Sequence, residues 1–119
     1  MSDNQPDIRI DYDEEGLYPP EDYCGVWEVY WPNRQLKYRA CYVDGKENGE
    51  VKCWWENGIL AQSGWRDHGE CRGLWTDYFE DGARYKETEY RDNDNFVVRW
   101  YSNGTIDRTE VWKEGRHME

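Results

Sequence analysis

The amino-acid sequence predicts an all-β fold: four stacked antiparallel β-hairpin repeats in an elongated, twisted meander sheet. Two observations lead to this prediction. Pairs of adjacent aromatic residues occur four times at nearly constant spacing, and a turn sequence follows each pair. No stretch of ten residues shows the apolar period of an amphipathic helix, so the repeated segments are expected to form strands.

The four copies of this pattern are in phase along the chain. Their first aromatic residues are 24, 24 and 22 positions apart. This spacing predicts repeats at about 25–48, 49–72, 73–94 and 95–116, within a repeat domain that covers residues 24–119. The copies read Tyr30-Trp31-Pro32-Asn33-Arg34, Trp54-Trp55-Glu56-Asn57-Gly58, Tyr78-Phe79-Glu80-Asp81-Gly82 and Trp100-Tyr101-Ser102-Asn103-Gly104.

Each copy has the signature of a hairpin. The dipeptides Asn57-Gly58, Asp81-Gly82 and Asn103-Gly104 favour tight turns, in which both central residues can take a positive φ. In the first copy Arg34 stands where the other copies have glycine. Second strands are predicted at 36–42, 60–65, 85–90 and 106–112, each followed by a polar loop.

Strand alternation sorts the side chains onto two faces. One face is predicted to carry the core: Trp27, Val29 and Trp31, then Val51, Cys53 and Trp55, then Trp75 and Phe79, then Val97, Arg99 and Tyr101. The opposite face carries a row of one aromatic residue per repeat: Tyr30, Trp54, Tyr78 and Trp100. This row either stiffens the sheet, at ~0.2–1 kcal/mol per cross-strand pair, or presents rigid rings to a partner.

The charge is distributed unevenly. The formal net charge is −11, and residues 1–23 hold eight acids against a single base, Arg9. We interpret residues 1–23 as an acidic, flexible arm, because this composition buries too little apolar surface to offset chain entropy. Residues 24–119 carry 18 acids and 14 bases. Nucleic acid and membrane are therefore not expected as partners, since both need clustered Lys and Arg. A basic protein suits the charge better.

Acids in the polar loops between strands are candidate steering residues. We expect them to attract a basic partner, which the aromatic row would then anchor. These acids are Asp44, Glu47, Asp67, Glu70, Asp92 and Asp94.

No catalytic, metal or cofactor site is predicted. The four cysteines form no CxxC pair, and the two histidines are far apart, so metal binding is not indicated. The segment Asp67-His68-Gly69-Glu70-Cys71 alone mixes acid, imidazole and thiol, but polar residues are expected in such a loop. With no secretory signal and no long apolar run, we expect a cytoplasmic protein with free thiols and no enzymatic activity.

Two segments resemble the MORN repeat variant: Gly25-Val26-Trp27-Glu28-Val29-Tyr30-Trp31-Pro32-Asn33 and Gly73-Leu74-Trp75-Thr76-Asp77-Tyr78-Phe79-Glu80-Asp81-Gly82. The resemblance extends from residue 25 to about 115. It departs from the pattern at Arg34 and at Asn95, where the other copies begin with glycine. It implies stacked hairpins without catalytic residues. It also implies a protein-binding role, as in bacterial MORN-like proteins of the antitoxin or immunity type.

The leading hypothesis is therefore an inhibitor that binds and blocks a toxin or effector protein. Three alternatives remain open at this stage. A self-associating scaffold would pair along its sheet edges. A phage-type acidic inhibitor would mimic the charge of DNA. A Trp-rich face could also stack on sugars.

Overall fold

The computed structural model describes residues 9–10 and 18–118 of the chain, and in this part the fold is one open sheet without helix. Successive strands from β2 onward are antiparallel neighbours, and β1 pairs in parallel with β2. The predicted all-β meander of stacked hairpins is therefore confirmed. The strands are β1 (Arg9–Ile10), β2 (Gly25–Tyr30), β3 (Leu36–Val43), β4 (Lys46–Trp54), β5 (Leu60–Asp67), β6 (Glu70–Tyr78), β7 (Arg84–Tyr90), β8 (Phe96–Ser102), β9 (Thr105–Lys113) and β10 (Arg116–Met118).

The predicted arm, residues 1–23, falls mostly on residues 1–8 and 11–17, which lie outside the described part of the chain. Two of its segments are described. Arg9–Ile10 pair with Val29 and Tyr30 at the edge of the sheet. At its other end, the Tyr23 ring packs edge-on against Trp27 at 5.4 Å, and its hydroxyl donates to the Val26 carbonyl oxygen at 2.7 Å. The folded body therefore includes Tyr23.

The turns inside the first three repeats differ from the predicted two-residue type. In the first repeat, the Trp31 amide donates to the Gln35 carbonyl oxygen, and the Arg34 amide donates to the Trp31 carbonyl oxygen, both at 2.8 Å. This pattern is a type I turn followed by one left-handed residue. Arg34, Gly58 and Gly82 occupy that left-handed position, with φ of 73°, 90° and 94°. The two-residue form is found in the fourth repeat, where φ is positive at both Asn103 and Gly104.

Large and small side chains alternate across one face of the sheet, which we call the core face. Its central row places Trp27, Ala40, Val51 and Gly64 opposite one another on β2 to β5. The Trp75 ring then covers Gly64: a Cβ on this glycine would lie 2.0 Å from the indole. The Trp75 Nε1 donates to the Trp65 carbonyl oxygen at 3.0 Å, and only 4% of Trp75 is exposed. A single-layer sheet thus obtains a core without a second layer.

We predict that Gly64→Ala destabilises the fold by about 3 kcal/mol, because the added methyl group overlaps the Trp75 ring and the sheet must shift to make room. Urea denaturation measures this change. Ser63→Ala, the neighbouring position on the opposite face, is the control and should cost less than about 1 kcal/mol. Equal effects of the two substitutions would contradict the proposed packing.

We predict that Arg34→Gly stabilises the fold. Arg34 has a φ of 73°, a conformation that costs an L-residue about 1–2 kcal/mol, whereas glycine adopts it freely. Part of this gain is offset by the larger backbone entropy of glycine in the unfolded chain. We therefore expect a net gain of about 0.5–1 kcal/mol in the free energy of unfolding. A lower urea midpoint for this variant would refute the assignment, and Gly58→Ala should show the opposite sign.

Candidate binding site

The predicted aromatic row does not lie on a single face, because the fourth repeat is shifted by one residue. Residues Glu28, Lys52 and Thr76 occupy equivalent positions at steps of 24, but the next member of this row is Arg99, only 23 residues further on. Tyr101 therefore takes the place equivalent to Tyr78. The prediction that placed Trp100 in this row, and Val97, Arg99 and Tyr101 on the core face, was wrong for the fourth repeat.

Trp100 instead lies on the core face, beside Lys86 and opposite Arg108. The Lys86 Nζ is 5.3 Å and the Arg108 Cζ is 5.1 Å from the indole centroid, so the ring is held by two cation–π contacts. Among the described residues, its buried Nε1 has no hydrogen-bond partner. Trp100 thus packs within the C-terminal part of the core face and is not a member of the predicted row.

The actual row on the opposite face, which we call the outer face, consists of Tyr30, Trp54, Tyr78 and Tyr101. The Tyr30 hydroxyl donates to Glu28 Oε1 at 3.0 Å, and burial together with this bond raises the Tyr30 pKa. The Tyr101 hydroxyl donates to Glu87 Oε1 at 2.8 Å. All four rings are half-buried. The two tyrosine hydroxyls at the ends of the row are therefore already used inside the sheet.

Five of the six predicted steering acids lie along one long side of the sheet, formed by the turns between repeats. Asp44 has a φ of 52° in its two-residue turn, and Asp92 and Asp94 are exposed in the loop before β8. Asp67 contacts the His68 Nδ1 at 2.7 Å, and Glu70 pairs with Arg72 at 2.9 Å. Such exposed pairs contribute little stability and leave the acids accessible. We call this side of the sheet the acidic edge.

The sixth acid, Glu47, is not a loop residue. It belongs to β4, where its carboxylate forms an ion pair with Arg66, 2.7 Å from Oε1 to Nε, and accepts hydrogen bonds from the hydroxyl groups of Tyr38 and Tyr42. Its side chain is 17% exposed. The Arg66 guanidinium in turn lies 5.1 Å from the Trp75 ring centroid. Glu47 therefore orients the groups around it instead of attracting a distant partner.

These groups surround a cavity of 520 Å³ on the core face, which we call the core-face cavity. It had no counterpart among the sequence predictions. Its aromatic lining comes from Tyr18, Trp31, Tyr38, Trp55 and Trp75, and its polar lining from Lys37, Glu47, Gln62 and Arg66. Trp54, which belongs to the outer-face row, borders the cavity at the end of β4. The bulges that place Lys37 beside Tyr38, and Ala61 beside Gln62, give the cavity two consecutive lining residues on each of two strands.

The environment of the cavity favours binding over covalent chemistry. Burial raises the pKa of the Cys53 thiol to about 11, so it stays protonated at neutral pH and is a poor nucleophile. The four cysteines are free, and no group of three or more metal-binding side chains is found among the described residues. In the same part of the chain, no helix is long and apolar enough to span a membrane.

The family comparison matches two segments of the chain. The family model for the MORN repeat variant matches residues 23–44, which contain β2 and β3, and residues 47–64, which contain most of β4 and the first five residues of β5. These two segments are similar to MORN repeat variants. This type of repeat suggests a binding or scaffold module, and its all-β fold is typically non-catalytic. No curated protein and no solved structure matched the chain in the corresponding comparisons.

Each matched MORN repeat is joined to the following repeat by two side-chain hydrogen bonds. In the first, the Trp31 Nε1 donates to the Trp54 carbonyl oxygen at 3.0 Å, and the Asn33 Nδ2 donates to the Glu56 carbonyl oxygen at 2.8 Å. Trp55 and Asn57 make the same bonds to the third repeat. The third repeat has Phe79 and Asp81 at these positions, and neither side chain can donate. This pair of bonds therefore ends before the fourth repeat.

We predict that the fold loses stability at alkaline pH. Burial raises the pKa of Tyr42 to about 12 and that of Tyr38 well above its ordinary value. A phenol that ionises more readily in the unfolded chain favours unfolding once the pH exceeds about 10. The contribution of these groups is therefore complete below about pH 10 and declines as the pH rises toward about 12.

Urea denaturation at a series of pH values measures this decline. Tyr42→Phe, which removes one of the two groups, should show a shallower slope above about pH 10 than the unsubstituted protein. Identical slopes would exclude Tyr42 as a source of the pH dependence.

Proposed function

We propose that the protein is a protein-binding module that holds its partner on the core face, and that it acts as an antitoxin- or immunity-type inhibitor. The core-face cavity carries the proposal. Its volume of 520 Å³ falls within the range of about 300–1,000 Å³ typical of ligand sites, and its lining combines large rings with a few oriented polar groups. Such rings are the side chains most often found at binding hot spots.

The charge distribution supports a basic partner. The net charge is −11, and the acidic edge borders the same sheet that bears the cavity. Complementary charge raises the rate of encounter, while rings in a cavity slow dissociation. We propose that acids such as Asp44, Asp92 and Asp94 attract the partner, and that the cavity then binds it. The free thiols support a reducing compartment, and we propose the cytoplasm.

Filling the cavity tests this function. Ala61 lines the cavity and Ser63 lies on the outer face of the same strand, so Ala61→Trp and Ser63→Trp add the same ring to opposite faces. A partner captured from native lysate is identified, purified and titrated by calorimetry against each variant. We expect Ala61→Trp to weaken binding about thirty-fold, the loss of one hot spot, and Ser63→Trp to weaken it less than about three-fold.

Thermal unfolding confirms that both variants are folded before they are compared. Binding that survives Ala61→Trp but is lost in Ser63→Trp would place the partner on the outer face and refute the proposal. A purified partner whose own activity is unchanged by a saturating amount of the protein would remove the inhibitor role while leaving the binding role intact.

A self-associating scaffold is the second candidate, because the outer face exposes unusual apolar surface. Six of the eight large apolar side chains exposed in the described part of the chain lie there: Val43, Trp65, Leu74, Ile106, Val111 and Met118. Exposed apolar surface of this kind often marks an interaction site. Sedimentation of the same purified protein distinguishes the candidates, since only a scaffold forms concentration-dependent oligomers without a partner.

A further inference from the structure

We propose that the core face binds an extended, proline-rich peptide segment of the polyproline II type, running across the strands from the core-face cavity over Trp55 toward Phe79. This inference rests on the proposed protein-binding function and specifies the segment that the partner would present. The spacing of the rings, the seating of a Tyr-Pro segment by the chain itself and the donors of the cavity support it independently.

The ring spacing matches the repeat of the peptide. Trp31, Trp55 and Phe79 follow β2, β4 and β6, so consecutive rings are two strands apart, or roughly 9.5 Å at the usual strand separation. A polyproline II helix repeats every three residues, about 9.3 Å. Each turn of such a peptide would therefore meet an equivalent ring, and aromatic-lined grooves are a recurring way of binding this conformation.

The two indoles are positioned in advance. The Nε1 atoms of Trp31 and Trp55 both donate to a carbonyl oxygen of the following repeat, at 3.0 and 3.2 Å. These bonds fix the ring edges and leave ring surface in the wall of the cavity. A groove whose rings are already immobilised loses little side-chain entropy when a ligand binds. Phe79, which packs against Tyr85 at 4.7 Å, provides the third ring.

The chain itself seats a segment of the proposed kind at one end of the cavity. Tyr18 lines the cavity although 67% of the residue is exposed, and Pro19 beside it is half-buried. The Tyr23 amide donates to the Pro20 carbonyl oxygen at 3.2 Å, which ties this segment to the folded body. In the described part of the chain, Tyr18 of a Tyr-Pro-Pro sequence thus lines the Trp-lined cavity, which favours a peptide ligand over a glycan.

The cavity also offers a hydrogen-bond donor to a peptide of this type. A polyproline II segment makes no internal hydrogen bonds, so its carbonyl oxygens are free to accept. The Lys37 ammonium lies 4.6 Å from the Trp31 ring centroid, and it forms no ion pair with any described residue. It can therefore donate to a peptide carbonyl that packs on Trp31.

The test uses two blocked synthetic peptides, one of four Tyr-Pro-Pro triplets and one of four Tyr-Gly-Ser triplets. Both carry the same rings, but only the first is held in the polyproline II conformation. Calorimetric titration of the full chain should show saturable binding of the proline peptide, at least about tenfold tighter than the glycine peptide. Trp55→Ala should weaken this binding at least about tenfold, and Trp65→Ala, an exposed indole on the outer face, should leave it unchanged.

Thermal unfolding verifies that each variant is folded, and Trp55→Phe, which keeps a ring, should retain most of the affinity if Trp55→Ala is unstable. No saturable binding of the proline peptide up to about 1 mM, or equal binding of both peptides, would overturn the inference. So would Trp55-dependent binding of a β-linked glucose hexasaccharide without peptide binding, since it would assign the groove to a glycan.

The two proposals can fail separately. If neither peptide binds but Ala61→Trp still abolishes capture of the protein partner, only the peptide conformation is wrong. If the proline peptide binds but Ala61→Trp leaves the affinity for the captured partner unchanged, peptide binding on the core face is supported and the proposed function is refuted.

Discussion

The Trp75 ring resting on Gly64 is the contact on which the fold depends most. A single sheet has no second layer to cover its apolar face, so its side chains must bury one another. Indole rings provide the necessary area, but a large ring fits only where its neighbour is small. The row Trp27, Ala40, Val51 and Gly64 meets this requirement across four strands. The high tryptophan content therefore explains how a sheet without a second layer can bury its apolar face.

Hydrogen bonds between repeats decide how far this regularity extends. Trp31 and Trp55 hold successive repeats in the same register, whereas Phe79 has no corresponding donor. The register changes at the boundary that lacks these bonds: the β7–β8 pairing is uninterrupted, while the β3–β4 and β5–β6 pairings contain bulges. At this boundary the structural repeat shortens from 24 to 23 residues, and this change by one residue places Trp100 on the core face. The Trp and Asn donors of these bonds in the first two repeats are replaced in the third repeat by Phe79 and Asp81.

The sequence was sufficient to predict the strands and the core face of the first three repeats, because these follow from alternation and spacing. It was not sufficient for Trp100, since a bulge or its absence shifts a side chain to the other face without changing the local pattern. Glu47 was misplaced for a related reason: an acid next to a turn looks solvated unless Arg66 and Tyr38 are known to lie beside it. The lining of the cavity comes from four strands, β3 to β6, and from Tyr18, and no local sequence pattern shows that these segments come together.

The tryptophans that join the repeats, Trp31 and Trp55, also line the cavity, and their inter-repeat bonds determine which part of each ring a ligand can contact. The only polar atom of each side chain, the Nε1 of Trp31 and of Trp55, donates a hydrogen bond to the backbone of the following repeat. Each indole therefore presents an apolar face of fixed orientation to a ligand. Recognition on the core face must then come from shape, ring stacking and the few polar groups around the rings. Charge is presented elsewhere, at the acidic edge, where Asp44 and Asp94 are exposed and lie outside the core. Because the anchoring rings and the exposed acids are different residues, the acids can be substituted without disturbing the packing that stabilises the sheet.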